Sequence, residues 1–258
     1  MDDLEIYRDT LIYLFLLLVV FLATVVPALL AMRRMRARGR RMRTAGGRMG
    51  YEPWSGKESF LMVALERLGV LESSGAGAVF HPLHRQEARR RAWLFDLLAG
   101  QSGWRRYVLR DRAAGSTRTV VLVQSEVLDS PYLMVEPENP PSKALGRLAD
   151  RIEQIHGLES LELPVGTRAV PGVRIRTRSG QQEEALRVVL ESGILDVLRR
   201  EKDLAIRAHG QIVAVVRPLS PTDTRDVGAL LTTAETLVSG LEGAAPRKES
   251  SRPEDRKA

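Results

Sequence analysis

The longest apolar stretch runs from Leu11 to Met32, LIYLFLLLVVFLATVVPALLAM, 22 residues without a charged side chain. As a helix it would reach about 33 Å at 1.5 Å per residue, enough for a hydrocarbon core of about 30 Å. Pro27 lies near its C-terminal end, where a membrane helix tolerates a kink. Asp2, Asp3, Glu5 and Asp9 precede the stretch, with Arg8 the one basic side chain among them, and a run of arginines follows it. A cleaved signal peptide has the opposite order, positive charge first and then a shorter apolar run. By the positive-inside rule the N-terminus faces outward and the chain after Met32 is cytoplasmic. The predicted organisation is an extracytoplasmic segment 1–10, a transmembrane helix 11–32, an Arg-rich linker 33–50, a cytoplasmic domain 51–242 and a disordered polar tail 243–258. Whether the domain divides into subdomains near 51–160 and 161–242 stays open at this level.

Beyond the apolar stretch the pattern alternates between helical and strand periods. The helix is expected to continue to Gly46-Gly47. Ser55-Gly56-Lys57-Glu58 has the form of a capping box ahead of Phe60, Val63, Ala64 and Leu68, with Gly69 as the stop. Ser73 to Gly77 reads as a loop. Strands are predicted at Trp93–Leu98, Trp104–Arg112, Thr117–Gln124 and Tyr132–Glu136, the second and third joined by a hairpin loop at 113–116. Ser142 would cap a helix bearing Leu145, Leu148, Ile152 and Ile155. Val173–Thr177 alternates as a half-buried strand. Ser179-Gly180-Gln181-Gln182 repeats the capping pattern before a stripe of Leu186, Val189, Leu190, Ile194, Val197 and Leu198. Asp203–Ala208 and Gln211–Arg217 flank a turn at His209-Gly210. Ser220-Pro221 would open a last helix with Val227, Leu230, Leu231, Ala234, Leu237, Val238 and Leu241 on its apolar face. Adjacent strands in runs, with helices between the groups, predict an α+β fold with a largely antiparallel sheet.

Composition changes this picture at two points. The chain has no Cys, which excludes disulfides, thiolate nucleophiles and Cys-bearing zinc or iron–sulfur sites. Its net charge of +7 invites a nucleic-acid reading, but the surplus is local. Arg33, Arg34, Arg36, Arg38, Arg40, Arg41, Arg43 and Arg48 are eight positives beside the apolar stretch, and without them 31 basic side chains face 32 acidic ones. A phosphate-tracking surface is not supported, and no nucleic-acid partner is expected. Arg33, Arg34, Arg36, Arg38, Arg40, Arg41 and Arg43 are expected to set topology and to touch anionic headgroups.

The search for chemistry finds no catalytic constellation. His81 and His84 are close enough in sequence to meet at one metal, but they fall in loop-like sequence with no HExxH or third ligand nearby. His209 is read as a turn residue and His156 as a helix-end residue. Ser125, Ser130 and Ser160 lie at strand ends or in loops without a G-x-S-x-G elbow. Gly75-Ala76-Gly77 lacks the rest of a phosphate loop, and Glu183-Glu184 suit the first turn of a helix. Trp93 and Trp104 are expected in the sheet, and Trp54 near the membrane-proximal segment. No catalytic, metal or cofactor site is assigned.

Four short segments, Gly50-Tyr51-Glu52-Pro53, Leu94-Phe95-Asp96, Thr119-Val120-Val121 and Pro131 to Glu138, together resemble a family of uncharacterised bacterial single-pass membrane proteins with a cytoplasmic α+β domain. The likeness covers roughly residues 46 to 241, with Leu97 where that family has an aromatic residue. It implies an architecture and a place in the bacterial inner membrane, and it carries over no catalytic or ligand-binding residue. The expectation is a membrane-anchored cytoplasmic interaction or scaffolding protein whose partners are the bilayer and another protein. The alternatives are a membrane-tethered hydrolase using scattered Asp, Glu and His, and a sensor of anionic lipid surfaces.

Overall fold

The computed structural model describes residues 2–70, 77–99, 117–137, 157–167, 170–201, 203–217, 222–223 and 225–244; in the first helix the side chains described are those of 13–23, 25–26, 29–30 and 33–47. The elements are, in order, α1 (Asp2–Gly47), β1 (Glu52–Pro53), α2 (Glu58–Arg67), β2 (Gly77–Gln86), β3 (Arg90–Ala99), β4 (Thr117–Ser125), β5 (Ser130–Pro137), β6 (Leu158–Ser160), β7 (Val173–Arg178), α3 (Gln182–Glu191), α4 (Ile194–Arg200), β8 (Ala205–Gly210), β9 (Ile212–Val216) and α5 (Val227–Ala244). The fold is α+β, as the sequence pattern predicts. Among the described residues nine strands form one sheet in the order β1-β2-β3-β4-β9-β8-β5-β7-β6, and every pairing is antiparallel. Strands from either side of residue 160 alternate within it, β4 beside β9 and β5 between β8 and β7.

Strand periodicity gives the sheet two distinct faces. Ala92, Leu94, Val121, Val123, Leu133, Val135, Ile175, Ile206, Ala208, Val213 and Val215 share one cluster with Met42 of α1 and the buried sides of α3, α4 and α5. Trp93, Phe95, Leu97, Val120, Leu122, Ala214 and Val216 point the other way and pack under α2 through Leu61, Ala64, Leu65 and Leu68. The seven apolar positions expected on α5 are all buried. On the α3–α5 side the layers approach closely, since a Cβ on Gly240 would stand 1.9 Å from the carbonyl oxygen of Ser192.

Local chemistry moved several boundaries. Neither capping box forms: α2 starts from Lys57 and α3 from Gln181, with no side-chain cap at either. The Trp54 ring lies against Gly56, and Gly180 sits at φ +83° in the turn after β7, so the serines stay outside the helices. The stop at Gly69 does form. At φ +66°, Gly69 donates to Glu66 and Val70 to Leu65, the double closure of a Schellman motif. The single helix expected across 182–198 is two, broken where Gly193 takes φ +74°, and Leu190 is exposed. The last helix begins at Val227, and Gly243, expected in the tail, belongs to it. Of the expected loop Ser73 to Gly77, Gly77 instead opens β2; residues 73–76, the strand at 104–112 with Trp104, the hairpin loop at 113–116, the helix after Ser142 with His156, Ser220-Pro221 and the tail after Ala244 lie outside the described residues.

The helix carrying the apolar stretch continues unbroken through the Arg run to Gly47. Among the described residues no helix is long and apolar enough to cross a membrane. Between residues 13 and 30 the described large apolar side chains are nonetheless exposed, except half-buried Val25, from Tyr13 at 70% to Val19 and Val26 at 44%.

Candidate functional site

The junction between α1 and the sheet gathers the strongest polar geometry on the apolar-cluster face. Asp96 follows Ala92 and Leu94 with strand period two, so its carboxylate turns toward the helices and is buried at 1% exposure. An isolated carboxylate there would be costly to ionise. Arg38 of α1 meets it with two parallel bonds, Nε to Oδ2 at 2.7 Å and Nη2 to Oδ1 at 2.8 Å. Arg38 Nη2 also donates to Thr119 Oγ1 at 2.8 Å, and Nη1 to the carbonyl of Thr222 at 2.9 Å. Thr119, opposite Asp96 in the β3–β4 register, donates to Asp96 and accepts from the Thr222 backbone N–H at 3.1 Å. One guanidinium thus ties α1, β3, β4 and the approach to α5 together. The next residue, Gly39, makes room for the His81 ring, 2.5 Å from where a Cβ would stand.

A second clamp fixes α5 at the other end of the sheet. Arg90 donates from Nε to Glu242 at 2.8 Å and from Nη2 to its second oxygen, and Ser125 Oγ donates to Glu242 at 2.6 Å. Burial pushes the Glu242 carboxyl up, but the hydrogen bonds from Arg90 and Ser125 outweigh it and hold the group below its ordinary range. Between the clamps, Arg85 pairs with Glu235 and Glu87 and lies 5.2 Å from the centre of the Tyr51 ring. Burial, only partly offset by Arg85 and reinforced by Glu235 and Glu87, pushes the Tyr51 phenol up to about 12. The cavity beside Arg85, Arg90 and Glu235 has room for about one water-sized centre, ~20 Å³. Arg85 and Arg90 each pair with an acid of α5 there.

The sequence-selected residues separate accordingly. Of the seven arginines expected at headgroups, Arg33, Arg34, Arg36, Arg40, Arg41 and Arg43 are exposed, and Arg38 is the one committed to Asp96. His81 and His84 lie in β2 and not in a loop, His81 inside the bulge between Phe80 and Leu83, where it takes φ +54°, and His84 just beyond it. The His81 ring meets α1, while His84 is paired opposite Trp93, whose ring belongs to the α2 side, so the two imidazoles do not converge. Among the described residues no group of three or more His, Asp and Glu is placed to hold a metal ion. His209 is the last but one residue of β8, paired opposite Ile212 across the turn to β9. Ser125 and Ser160 end β4 and β6, and Ser130 opens β5. Glu183 and Glu184 occupy the first turn of α3. Trp54 stands edge-on to Trp93 at 6.4 Å, in the layer under α2. Sequence reading missed the Arg38–Asp96 pair. Its signal was one acid at a core-facing strand position, with its partner hidden among eight arginines.

Fold and junction define a class: a helical stalk locked to a single antiparallel sheet that is layered with helices. Among solved structures the chain is similar to the mycobacterial trehalose monomycolate transport factor A, TtfA, at 13% identity and a TM-score of 0.54, over 82% of this chain and 98% of that one. At that identity the likeness is one of fold. No family model matches the chain, and no curated protein does.

Proposed function

We propose that this protein is a membrane-anchored, non-catalytic interaction protein whose α1 enters the bacterial inner membrane with its N-terminus outward and presents the sheet domain in the cytoplasm. The observation that carries the reading is α1 itself. Its Arg38 end is bonded into the domain, whereas its apolar side chains, Tyr13 at 70% to Leu30 at 48%, are left in the open. Exposed apolar surface on this scale marks a membrane or a protein contact. The uncharged stretch 11–32 and the arginines after it favour the membrane. The six exposed arginines then lie at headgroup level, where each adds about 1 kcal/mol of attraction to anionic lipid.

The fold likeness to a trehalose monomycolate transport factor directs the search for its partner toward transport proteins. The absence of an identified catalytic constellation in the sequence leaves a binding role as the simpler account. Crosslinking in native membranes of the host, followed by purification and mass spectrometry, tests this. The expected product is a stable crosslink to an integral membrane protein, in a fraction that alkaline carbonate does not extract. Full extraction by carbonate, with no membrane-protein crosslink, would overturn the proposal.

A further inference from the structure

The face of the sheet under α2 changes character on passing from β9 to β8, β5 and β7. The core-facing positions there are Ile206 and Ala208, Leu133 and Val135, and Ile175. The alternate positions therefore point the other way: Arg207 and His209 from β8, Tyr132 and Glu136 from β5, and Arg174, Arg176 and Arg178 from β7. Register sets them in rows. Met134 of β5 lies opposite both Arg207 and Arg176, and Leu133 opposite Ala208 and Thr177, which places Tyr132 between His209 and Arg178. The Arg178 guanidinium lies 4.7 Å from the centre of the Tyr132 ring, and that ring 5.8 Å from the His209 ring.

The arginines of this face differ in how they are partnered. Glu136 is shared by Arg207 and, at 3.9 Å, Arg176. Arg174 and Arg176 have further interactions of their own. Arg207, however, is 8% exposed, and its Nη1 is buried without an acceptor; His209 Nδ1 is likewise buried without a partner. A buried guanidinium N–H left unmade costs more than an ordinary unmade hydrogen bond. Arg178 and Arg67 are exposed, and both are near enough to act on His209 electrostatically. Burial and three charged groups act on His209: burial, Arg178 and Arg67 lower its pKa, and Asp129 opposes them, with a net fall that favours the neutral ring.

We propose that this face binds an oxyanion of the phosphate type, with Arg207, His209 and Arg178 as its donors. A carboxylate is planar and is satisfied by one guanidinium fork, whereas donors from two strands flanking a third suit a tetrahedral anion with several acceptor oxygens. The site is independent of the anchoring proposal. Its His209 end is also the end of the sheet away from Arg38: Val120 and Ala205, both opposite Val216, mark the Arg38 end, and Ser130, opposite Gly210, marks the other. A soluble phosphate compound therefore reaches it more readily than the headgroups around α1.

Phosphate titration of the full chain in nanodiscs of zwitterionic lipid, at constant ionic strength and with ring-labelled histidines, tests this. His209 is assigned through His209→Gln. Saturable shifts of its resonances at millimolar phosphate, with its titration midpoint moving to higher pH, are expected, since a bound anion favours the imidazolium. Arg207→Gln and Arg178→Gln should each weaken binding about tenfold or more, the loss of a charge-assisted hydrogen bond. Arg178 is exposed, so its variant keeps the test valid if Arg207→Gln fails to fold. No saturation, or binding unchanged in Arg178→Gln, would overturn the site. The same His209 shift in phosphatidylglycerol nanodiscs without phosphate would overturn a soluble ligand.

Discussion

Arg38 sits in a run of exposed arginines, yet its environment makes it a different residue from its neighbours. It forms four hydrogen bonds to three partners, one of them a carboxylate at 1% exposure. Removing one member of such a pair leaves the other buried and uncompensated, which costs about 3–5 kcal/mol. Arg38→Ala and Asp96→Asn should therefore each lower the unfolding free energy of the full chain in detergent by that order. Arg38→Met combined with Asp96→Leu should recover most of the loss. Arg36→Ala, at an exposed position two residues away, should change it by less than about 0.5 kcal/mol. Chemical denaturation of the four variants checks the set, and equal losses in Arg36→Ala and Arg38→Ala would remove the lock from the account. Sequence reading treated these arginines alike because no local pattern separates them. What distinguishes Arg38 is a partner 58 residues away, and only the sheet brings it there.

Among elements, the strands β3, β4, β5, β7, β8 and β9 and the apolar face of α5 were legible, because each depends on its own periodicity. Both capping boxes were misread. The S-x-x-E and S-x-x-Q spacings are present, but the turns holding Gly56 and Gly180 decided where the chain becomes helical. Strand order was illegible, since β4 with β9 and β5 with β8 are non-local pairings. The attachment of α5 carries a pH dependence. The folded-state pKa of Glu242 is depressed, so its contribution is fully present above the ordinary glutamate pKa of about 4.3 and is lost as pH falls through the lower folded value. Melting curves of the wild type and Glu242→Gln should differ clearly near neutral pH and converge well below pH ~4. A gap that stays constant down to the most acidic point would mean that Glu242 does not act through its charge.

At the scale of the whole molecule, the stalk and the domain form one continuous piece. α1 runs without a break from Asp2 to Gly47, and its last turns are fixed by Arg38, by Gly39 against His81 and by Met42 in the main core. Whatever holds the apolar half of α1 therefore also fixes the attitude of the sheet. In the anchoring proposed above, a bilayer holds it. The chain has no Cys, so single-cysteine variants carry no background label. The decisive measurement is labelling of Asp3→Cys, Leu17→Cys and Glu126→Cys in intact and permeabilised host cells with a membrane-impermeant maleimide. The account predicts that Asp3→Cys reacts in intact cells once the outer layers are permeable to the reagent. Glu126→Cys should react only after the inner membrane is opened, and Leu17→Cys only after denaturation. Labelling of Leu17→Cys in folded protein, or of Glu126→Cys in cells with an intact inner membrane, would contradict it.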